Sequence, residues 1–176
     1  MSPLDADEKL AAALGRMAGM WSHLEFMLAM IFQKATGMDG NVASGIFDFF
    51  RNTHTQRRVL LRIIAISNRF TAWETNLLKD VLKSYVALAE KRNALAHNPF
   101  GWKDVNDPDS LYLMQKAHGT KSGDGIPYTT RPVTTEEINA LTREIDFCRL
   151  QMLAIVTPNH LTLPPELRQP NQLDAS

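Results

Sequence analysis

An apolar residue recurs at every third or fourth position through the first part of the chain, and this spacing constrains the fold more than any other feature. Between Asp5 and Thr36 the stripe consists of Leu10, Leu14, Met17, Trp21, Leu24, Leu28 and Ile31. An α-helix completes a turn every 3.6 residues, so these steps place the side chains along one face. The sequence therefore predicts one long amphipathic helix, which ends at Gly37 and must bury its stripe.

Four more helices are predicted further along the chain. A short second helix extends through Phe50, and a third follows the capping residues Asn52–Thr55 and ends near Asn68. The fourth begins near Thr71 and ends before Pro99, because a proline disfavours helical backbone in the residue that precedes it. The apolar stripe of this fourth helix consists of Leu78, Val81, Tyr85, Leu88 and Leu95.

The fifth helix is predicted to follow the segment Thr134–Glu137, which resembles a capping box. In such a box the hydroxyl of Thr134 accepts from the amide three residues on, and the carboxylate of Glu137 reciprocates. The helix extends to about Val156. Beyond it, prolines prevent regular structure in residues 158–176, so we expect this tail to be a strap or disordered.

Between the fourth and fifth helices, residues 99–133 are rich in glycine and proline. Two runs, Leu111–Ala117 and Ile126–Val133, flank the turn-forming segment His118–Gly125, which predicts a β-hairpin. The two prolines of the second run would confine that strand to an edge or shorten it. We expect an appendage to the helical core.

These elements predict an all-α fold: an antiparallel helical bundle of about five helices, with a small β-hairpin appendage between the fourth and fifth. A chain of 176 residues, of which 44% are hydrophobic, suits one domain that buries a sizeable core. We therefore expect a single helical domain over residues 1–157, followed by the proline-rich tail at 158–176.

Charge and cysteine content limit the classes of function. Nineteen basic residues balance nineteen acidic ones, so no overall field draws the chain to nucleic acid or to a membrane, and any such binding must be local. The single cysteine, Cys148, excludes an internal disulfide and a multi-cysteine zinc site, and we expect it to be a buried apolar residue. The acidic N-terminus does not resemble a secretion signal, so we expect a cytoplasmic protein that does not bind membranes.

The most informative positions lie at the end of the fourth helix. The spacing of Leu78, Val81, Tyr85 and Leu88 continues to Arg92, a position where an apolar residue would be expected. This spacing directs the guanidinium toward the packed face. A buried charge is costly unless it is paired or solvated. Arg92 therefore has a carboxylate partner or lines a solvent-filled cleft, or it is a structural arginine that extends to water at the helix end.

His97 follows Arg92 by five residues, which is about 140° around an ideal helix and about 7.5 Å along its axis. A straight helix does not join the two side chains, although unwinding before Pro99 would swing the imidazole toward the guanidinium. Asn93 is four residues before His97 and shares its face, so its amide can fix the imidazole. Alternatively, His97 is present only because a helix C-terminus favours its cation.

The sequence Arg92-Asn93, followed by His97, resembles the signature of HEPN domains, in which an arginine and a histidine lie four to six residues apart. The resemblance extends over about residues 10–156. It implies an α-helical bundle, a homodimer, and two motifs that face one another across the dimer cleft. Many members are metal-independent endoribonucleases of toxin–antitoxin, phage-defence and RNA-processing systems, restrained in some cases by a protein partner. Others have lost catalysis and bind protein or RNA.

The resemblance also implies roles for the motif residues. The 2′-hydroxyl of RNA is the nucleophile, so the protein needs only to move protons and stabilise charge, without a metal or other cofactor. His97 would act as general acid or base, because histidine titrates near neutral pH. Arg92 would bind the phosphate, and Asn93 would orient His97 or the substrate.

Two further features bear on RNA binding. The segment from Phe49 to Trp73 contains no acidic residue and five arginines, which form either an RNA-binding patch or a solvated helix face: Arg51, Arg57, Arg58, Arg62 and Arg69. On the first helix, Glu25 interrupts the apolar neighbourhood and either pairs with Arg92, orienting it, or lies in water.

No other site is indicated. The remaining histidines show no metal-ligand spacing, and the chain has no phosphate-binding glycine loop, nucleophile elbow or helix-turn-helix spacing. Phe100 and Trp102 either stack on a base or close the core. An unrelated helical dimer, formed through the stripe of the first helix, is the remaining alternative.

Overall fold

The structure is a computed structural model and describes residues 7–104, 110–116 and 128–157. Five helices lie in these residues: Glu8–Thr36 (α1), Gly40–Phe47 (α2), Thr53–Ile66 (α3), Ala72–His97 (α4) and Thr135–Val156 (α5). The predicted all-α fold, a helical bundle with a small β element between the fourth and fifth helices, is confirmed. None of these helices combines the length and apolar composition that a bilayer crossing requires.

The helix boundaries follow from local capping. Asp39 and Asn52 precede α2 and α3, and the side-chain oxygen of each accepts from two amides of the first turn. After α1 comes Gly37, whose φ of 70° lies in the left-handed region that glycine adopts without strain. The second helix stops short of the predicted Phe50, because the amide of Phe50 bonds to the carbonyl three residues back and tightens the chain into a turn.

Among the described residues between α4 and α5 there are three antiparallel strands: Phe100–Trp102 (β1), Leu111–Lys116 (β2) and Tyr128–Pro132 (β3). β2 pairs with both neighbours, so β3 lies at an edge, as predicted from its prolines. The predicted hairpin corresponds to β2 and β3, whereas β1 is an addition that the sequence pattern does not predict. Gly101 of β1 lies opposite Tyr112, whose ring occupies the space that a side chain at position 101 would need.

The described residues form two compact units. The sheet-containing unit consists of the chain up to Gly19 together with Glu90–Arg143, and the helical unit consists of Met20–Ala89 together with the chain from Glu144. The single domain over residues 1–157 stays a prediction. The predicted turn at 118–125 and the tail at 158–176 lie outside the described residues.

The core of the helical unit contains an aromatic pair. Trp21 of α1 stacks on Tyr85 of α4, with ring centroids 5.3 Å apart, and both side chains are buried. The hydroxyl of Tyr85 donates to Oε1 of Gln56 on α3 at 2.5 Å, so its polar atom is satisfied. Cys148 is buried here too, as predicted, and burial raises the pKa of its thiol to about 12.

A buried carboxylate, Glu74, joins three elements of the helical unit. Its Oε1 accepts from Nζ of Lys34 at 2.6 Å, and the same ammonium donates to the carbonyl of Ile155 at 2.6 Å. Glu74 also completes a capping box at the start of α4, because it accepts from the amide of Thr71 and donates its own amide to the Thr71 hydroxyl. Burial alone would raise the pKa of Glu74, but the bonds from Lys34 and Thr71 outweigh it and lower the pKa.

The capping box predicted before α5 forms only in part. The hydroxyl of Thr134 accepts from the amide of Glu137 at 3.1 Å, as predicted. The carboxylate of Glu137 does not reciprocate, because it binds the guanidinium of Arg131 on β3 at 2.8 Å. The start of α5 is thereby tied to the edge strand.

Candidate functional site

The Arg92–His97 motif occupies the last two turns of α4, in the sheet-containing unit. The helix ends after His97 because Pro99 disfavours helical backbone at Asn98. The side-chain nitrogen Nδ2 of Asn98 donates to the carbonyl of Ala94 at 2.7 Å, which satisfies a carbonyl that the helix end leaves free. One residue later the chain enters the sheet, since the carbonyl of Pro99 accepts from the amide of Met114 on β2 at 2.9 Å. The end of α4 that carries the motif is therefore fixed by two hydrogen bonds, one from the Asn98 side chain and one between Pro99 and β2.

Arg92 lines a cavity of about 410 Å³ in this unit. The walls come from α1, from the end of α4 and from the chain that enters β1: Leu14, Met17, Ala18, Arg92, Leu95, Ala96, Asn98, Pro99 and Phe100. Apart from Arg92 and Asn98, these side chains are apolar. A cavity of this volume, with apolar walls and few polar groups, has the usual character of a small-molecule site. Arg92 thus lies at a cleft, which is one of the alternatives that the sequence left open.

Asn93 interacts with Arg92. Nη1 of Arg92 donates to Oδ1 of Asn93 at 3.0 Å; the two residues are successive on α4, and Arg92 is half-buried whereas Asn93 is exposed. In the described part of the chain no hydrogen bond joins the Asn93 amide to the imidazole of His97, so this amide does not fix the imidazole here. Asn93 instead restricts the orientation of the guanidinium.

His97 is exposed and is the last residue of α4. Because the helix continues regularly through His97, the unwinding that would swing the imidazole toward Arg92 does not occur. The two side chains therefore stay about 140° apart around the helix axis. His97 is not among the residues that line the Arg92 cavity. Within one copy of the chain, the motif presents its cation and its imidazole in different directions.

Glu25 is exposed and lies in the helical unit. Its pairing with Arg92, which lies in the sheet-containing unit, stays a prediction.

Of the five arginines between Phe49 and Trp73, three line one groove. Arg57, Arg58 and Arg62 line a groove on α3. Arg69 lines a different pocket and lies directly against Gly37, where its cation faces the negative end of the α1 dipole. Arg51 is exposed in the short connection before α3. The structure therefore brings three of the five together.

Several residues of the cavity were not predicted from the sequence. Leu14 and Met17 were identified only as members of the α1 stripe, and Asn98 was identified only as the residue before proline. A polar residue between a helix end and a proline is a usual C-terminal cap, so the role of Asn98 had a local signal. Phe100 lines the cavity, whereas Trp102 is not among its lining residues.

The described residues contain no group of three or more histidine, cysteine, aspartate or glutamate side chains that could hold a metal ion. Comparisons with protein-family models, with curated proteins and with solved structures find no match to the chain.

Proposed function

We propose that the chain is a metal-independent endoribonuclease of the HEPN type, in which two copies associate and Arg92 and His97 of both copies form one composite site. The observation that carries the proposal is the arrangement of the motif itself. Arg92 is oriented by Asn93 at the wall of a cavity, while His97 is exposed at the end of the same helix and faces another direction. Such a motif needs a second copy to bring an imidazole to a guanidinium.

The proposed reaction uses a nucleophile that belongs to the substrate. The 2′-oxygen of the ribose attacks the adjacent phosphorus, the bond from phosphorus to the 5′-oxygen breaks, and the products are a 2′,3′-cyclic phosphate and a 5′-hydroxyl. His97 takes the proton from the 2′-hydroxyl or gives one to the leaving 5′-oxygen. Arg92 donates to the phosphate oxygens, on which negative charge grows in the transition state. Asn93 holds the guanidinium ready for that contact.

The proposal includes a cellular setting. We infer a cytoplasmic homodimer that acts on RNA, as a toxin or a phage-defence effector, with a protein antitoxin or another regulatory partner that restrains it. Because the total charge is neutral, attraction of RNA must come from local positive groups and not from an overall field.

The primary test is incubation of the purified protein with total cellular RNA in the presence of EDTA. We expect cleavage that leaves 2′,3′-cyclic phosphate ends, and we expect His97→Ala and Arg92→Gln each to abolish it. His23→Ala is the matched control, because His23 is also an exposed histidine on a helix but lies outside the motif. Full cleavage by both motif variants would refute the proposed site.

The composite nature of the site has its own test. A mixture of Arg92→Gln and His97→Ala copies produces heterodimers that retain an intact Arg92 on one copy and an intact His97 on the other. If the two residues act across the interface, mixing restores part of the activity that each variant lacks alone. If they act within one copy, mixing restores nothing.

A second candidate function is a non-catalytic HEPN-like module that binds a protein or RNA. It is favoured by the half-buried position of Arg92, whose bond to Asn93 a purely structural guanidinium would also make. In that case replacement of Arg92 lowers the melting temperature and no RNA is cleaved. An active-site arginine, by contrast, is often removed without loss of stability.

A further inference from the structure

The outer face of α3 forms a groove of about 530 Å³ in the helical unit. Its walls are His54, Thr55, Arg57, Arg58, Leu61, Arg62 and Ala65. The opposite face of the helix is fixed to the core, because Leu60 and Ile64 are buried and Gln56 accepts from the buried Tyr85. The groove is therefore presented on an anchored helix.

The charge of this groove is unbalanced. Three arginines line it and no acidic residue does. In the described part of the chain none of these three arginines pairs with a carboxylate, whereas Arg131, Arg143 and Arg149 each do. Guanidinium groups that share one groove repel each other, so an anion that binds all three at once relieves this repulsion.

The other groups of the groove suit a phosphate ligand. Thr55 adds a hydroxyl donor and His54 adds an imidazole, both in the first turn of α3, where the helix dipole also favours an anion. The Nε atom of Arg57 is buried and has no hydrogen-bond partner among the described residues. Leu61 supplies an apolar surface beside the cations. Planar guanidinium groups match phosphate oxygens with two donors each, and Arg58 and Arg62 lie one turn apart on the helix.

We propose that this groove binds the phosphodiester backbone of an RNA strand through Arg57, Arg58 and Arg62, as a binding site separate from the Arg92–His97 motif. The choice of RNA rests on the proposed function, whereas the choice of a phosphate polyanion rests on the groove alone. Contacts with the backbone carry no sequence information, so the groove contributes affinity and register.

The test measures binding without cleavage. A fluorescently labelled, single-stranded 2′-O-methyl RNA oligonucleotide has no free 2′-hydroxyl, so it cannot be cut by the proposed chemistry, and its binding is followed by anisotropy from 50 to 200 mM salt. The groove variant replaces Arg57, Arg58 and Arg62 with glutamine. The control variant replaces three arginines that already pair with carboxylates, again with glutamine: Arg131, Arg143 and Arg149. Both variants lose three positive charges.

We expect the control variant to bind as the unmodified protein does and the groove variant to bind more weakly. Three phosphate contacts contribute about 2 to the slope of log affinity against log salt concentration for a single strand. The ratio of the control variant's affinity to the groove variant's affinity should therefore fall about twentyfold as the salt concentration rises from 50 to 200 mM. Circular dichroism checks that both variants keep the helical content of the unmodified protein.

Three results would overturn the proposal that the groove binds RNA. These are no binding of the oligonucleotide at 50 mM salt, equal affinity of the two variants, and an equal loss of affinity in both variants. A DNA oligonucleotide of the same sequence forms a further arm. If DNA binds through the groove and RNA does not, the assignment to RNA is wrong. None of these results depends on Arg92 or His97, so failure of the groove and failure of the proposed cleavage are separable.

Discussion

Replacing Glu74 with glutamine should destabilise the protein more than its single lost charge suggests. Glu74 is 4% exposed and accepts hydrogen bonds from the ammonium of Lys34 and the amide of Thr71. Hydrogen bonds to charged groups contribute about 1.5–3 kcal/mol, and a helix cap about 1 kcal/mol. Part of this stability is retained in the variant, because glutamine keeps one acceptor oxygen and because the Lys34 side chain, which is 30% exposed, can be solvated by water instead. We expect a loss of about 2 kcal/mol, which lowers the melting temperature by about 4–8 °C in a chain of this length.

The effect should depend on pH. The folded protein lowers the pKa of Glu74 below its ordinary value of 4.5, so the ionised carboxylate favours folding. This contribution is complete above the pKa of the unfolded state and is lost as the pH falls through the folded pKa. The difference in melting temperature between the unmodified protein and Glu74→Gln should therefore be full at pH 7 and shrink below about pH 4.5.

Thermal denaturation followed by circular dichroism measures both effects, and Glu136→Gln is the matched control. Glu136 also pairs with a cation, Arg143, at 2.6 Å, but its side chain is 72% exposed. Its replacement should change the melting temperature by less than about 2 °C, because exposed ion pairs contribute little. If Glu74→Gln and Glu136→Gln lower the melting temperature equally, or if the Glu74 effect is unchanged at pH 3, the reasoning is wrong.

Three other predictions follow from the core and the turns. Tyr85→Phe removes the hydrogen bond to Gln56 and should lower the free energy of unfolding by about 1 kcal/mol in urea denaturation, whereas an unchanged midpoint would show that the bond contributes nothing. Gly37→Ala should cost about 1–2 kcal/mol, because position 37 has a φ of 70°, which a residue with a Cβ adopts only with strain. Stability equal to that of the unmodified protein in the same assay would contradict this. Cys148 should not react with a thiol reagent at pH 8 in the folded protein, since at a pKa of about 12 only roughly one thiol in ten thousand is ionised. In denaturant, where the thiol is no longer buried, it should react fully. Rapid labelling of the native protein would show that the thiol is accessible.

The helices were predictable because their signals are local. The stripe from Leu10 to Ile31 repeats with the helical period, and all of its members except the half-buried Leu14 are buried. Capping by Asn52 and the stop before Pro99 also depend on neighbouring residues alone. By contrast, β1 has three residues, too few for a periodic pattern, and forms only because Phe100–Trp102 pairs with a segment that follows several residues later. Such pairing is not local, so the pattern does not show it.

The candidate site was predictable in part. The helical period placed Arg92 on the packed side, and the structure places it at a cavity. The helical period of the sequence could not show which side chain Asn93 would contact, because that contact depends on side-chain rotamers. The sequence also left open whether α4 would unwind before Pro99 and move His97. Five arginines close together in sequence also appeared as one group, although Arg69 follows the end of α3 and contacts Gly37 instead of sharing the groove.

The anchoring of the last turn of α4 has a consequence for any ligand of the motif. The ends of helices usually fray, and a ligand that binds a frayed end must first order it at the expense of conformational entropy. Here the side chain of Asn98 caps the turn, and the amide of Met114 ties the carbonyl of Pro99 to the sheet. The backbone that carries Arg92 and His97 is thus preorganised, so a ligand spends little of its binding energy on ordering it. Amide hydrogen exchange at Leu95 and Ala96 should accordingly be as slow in the free protein as in the bound one.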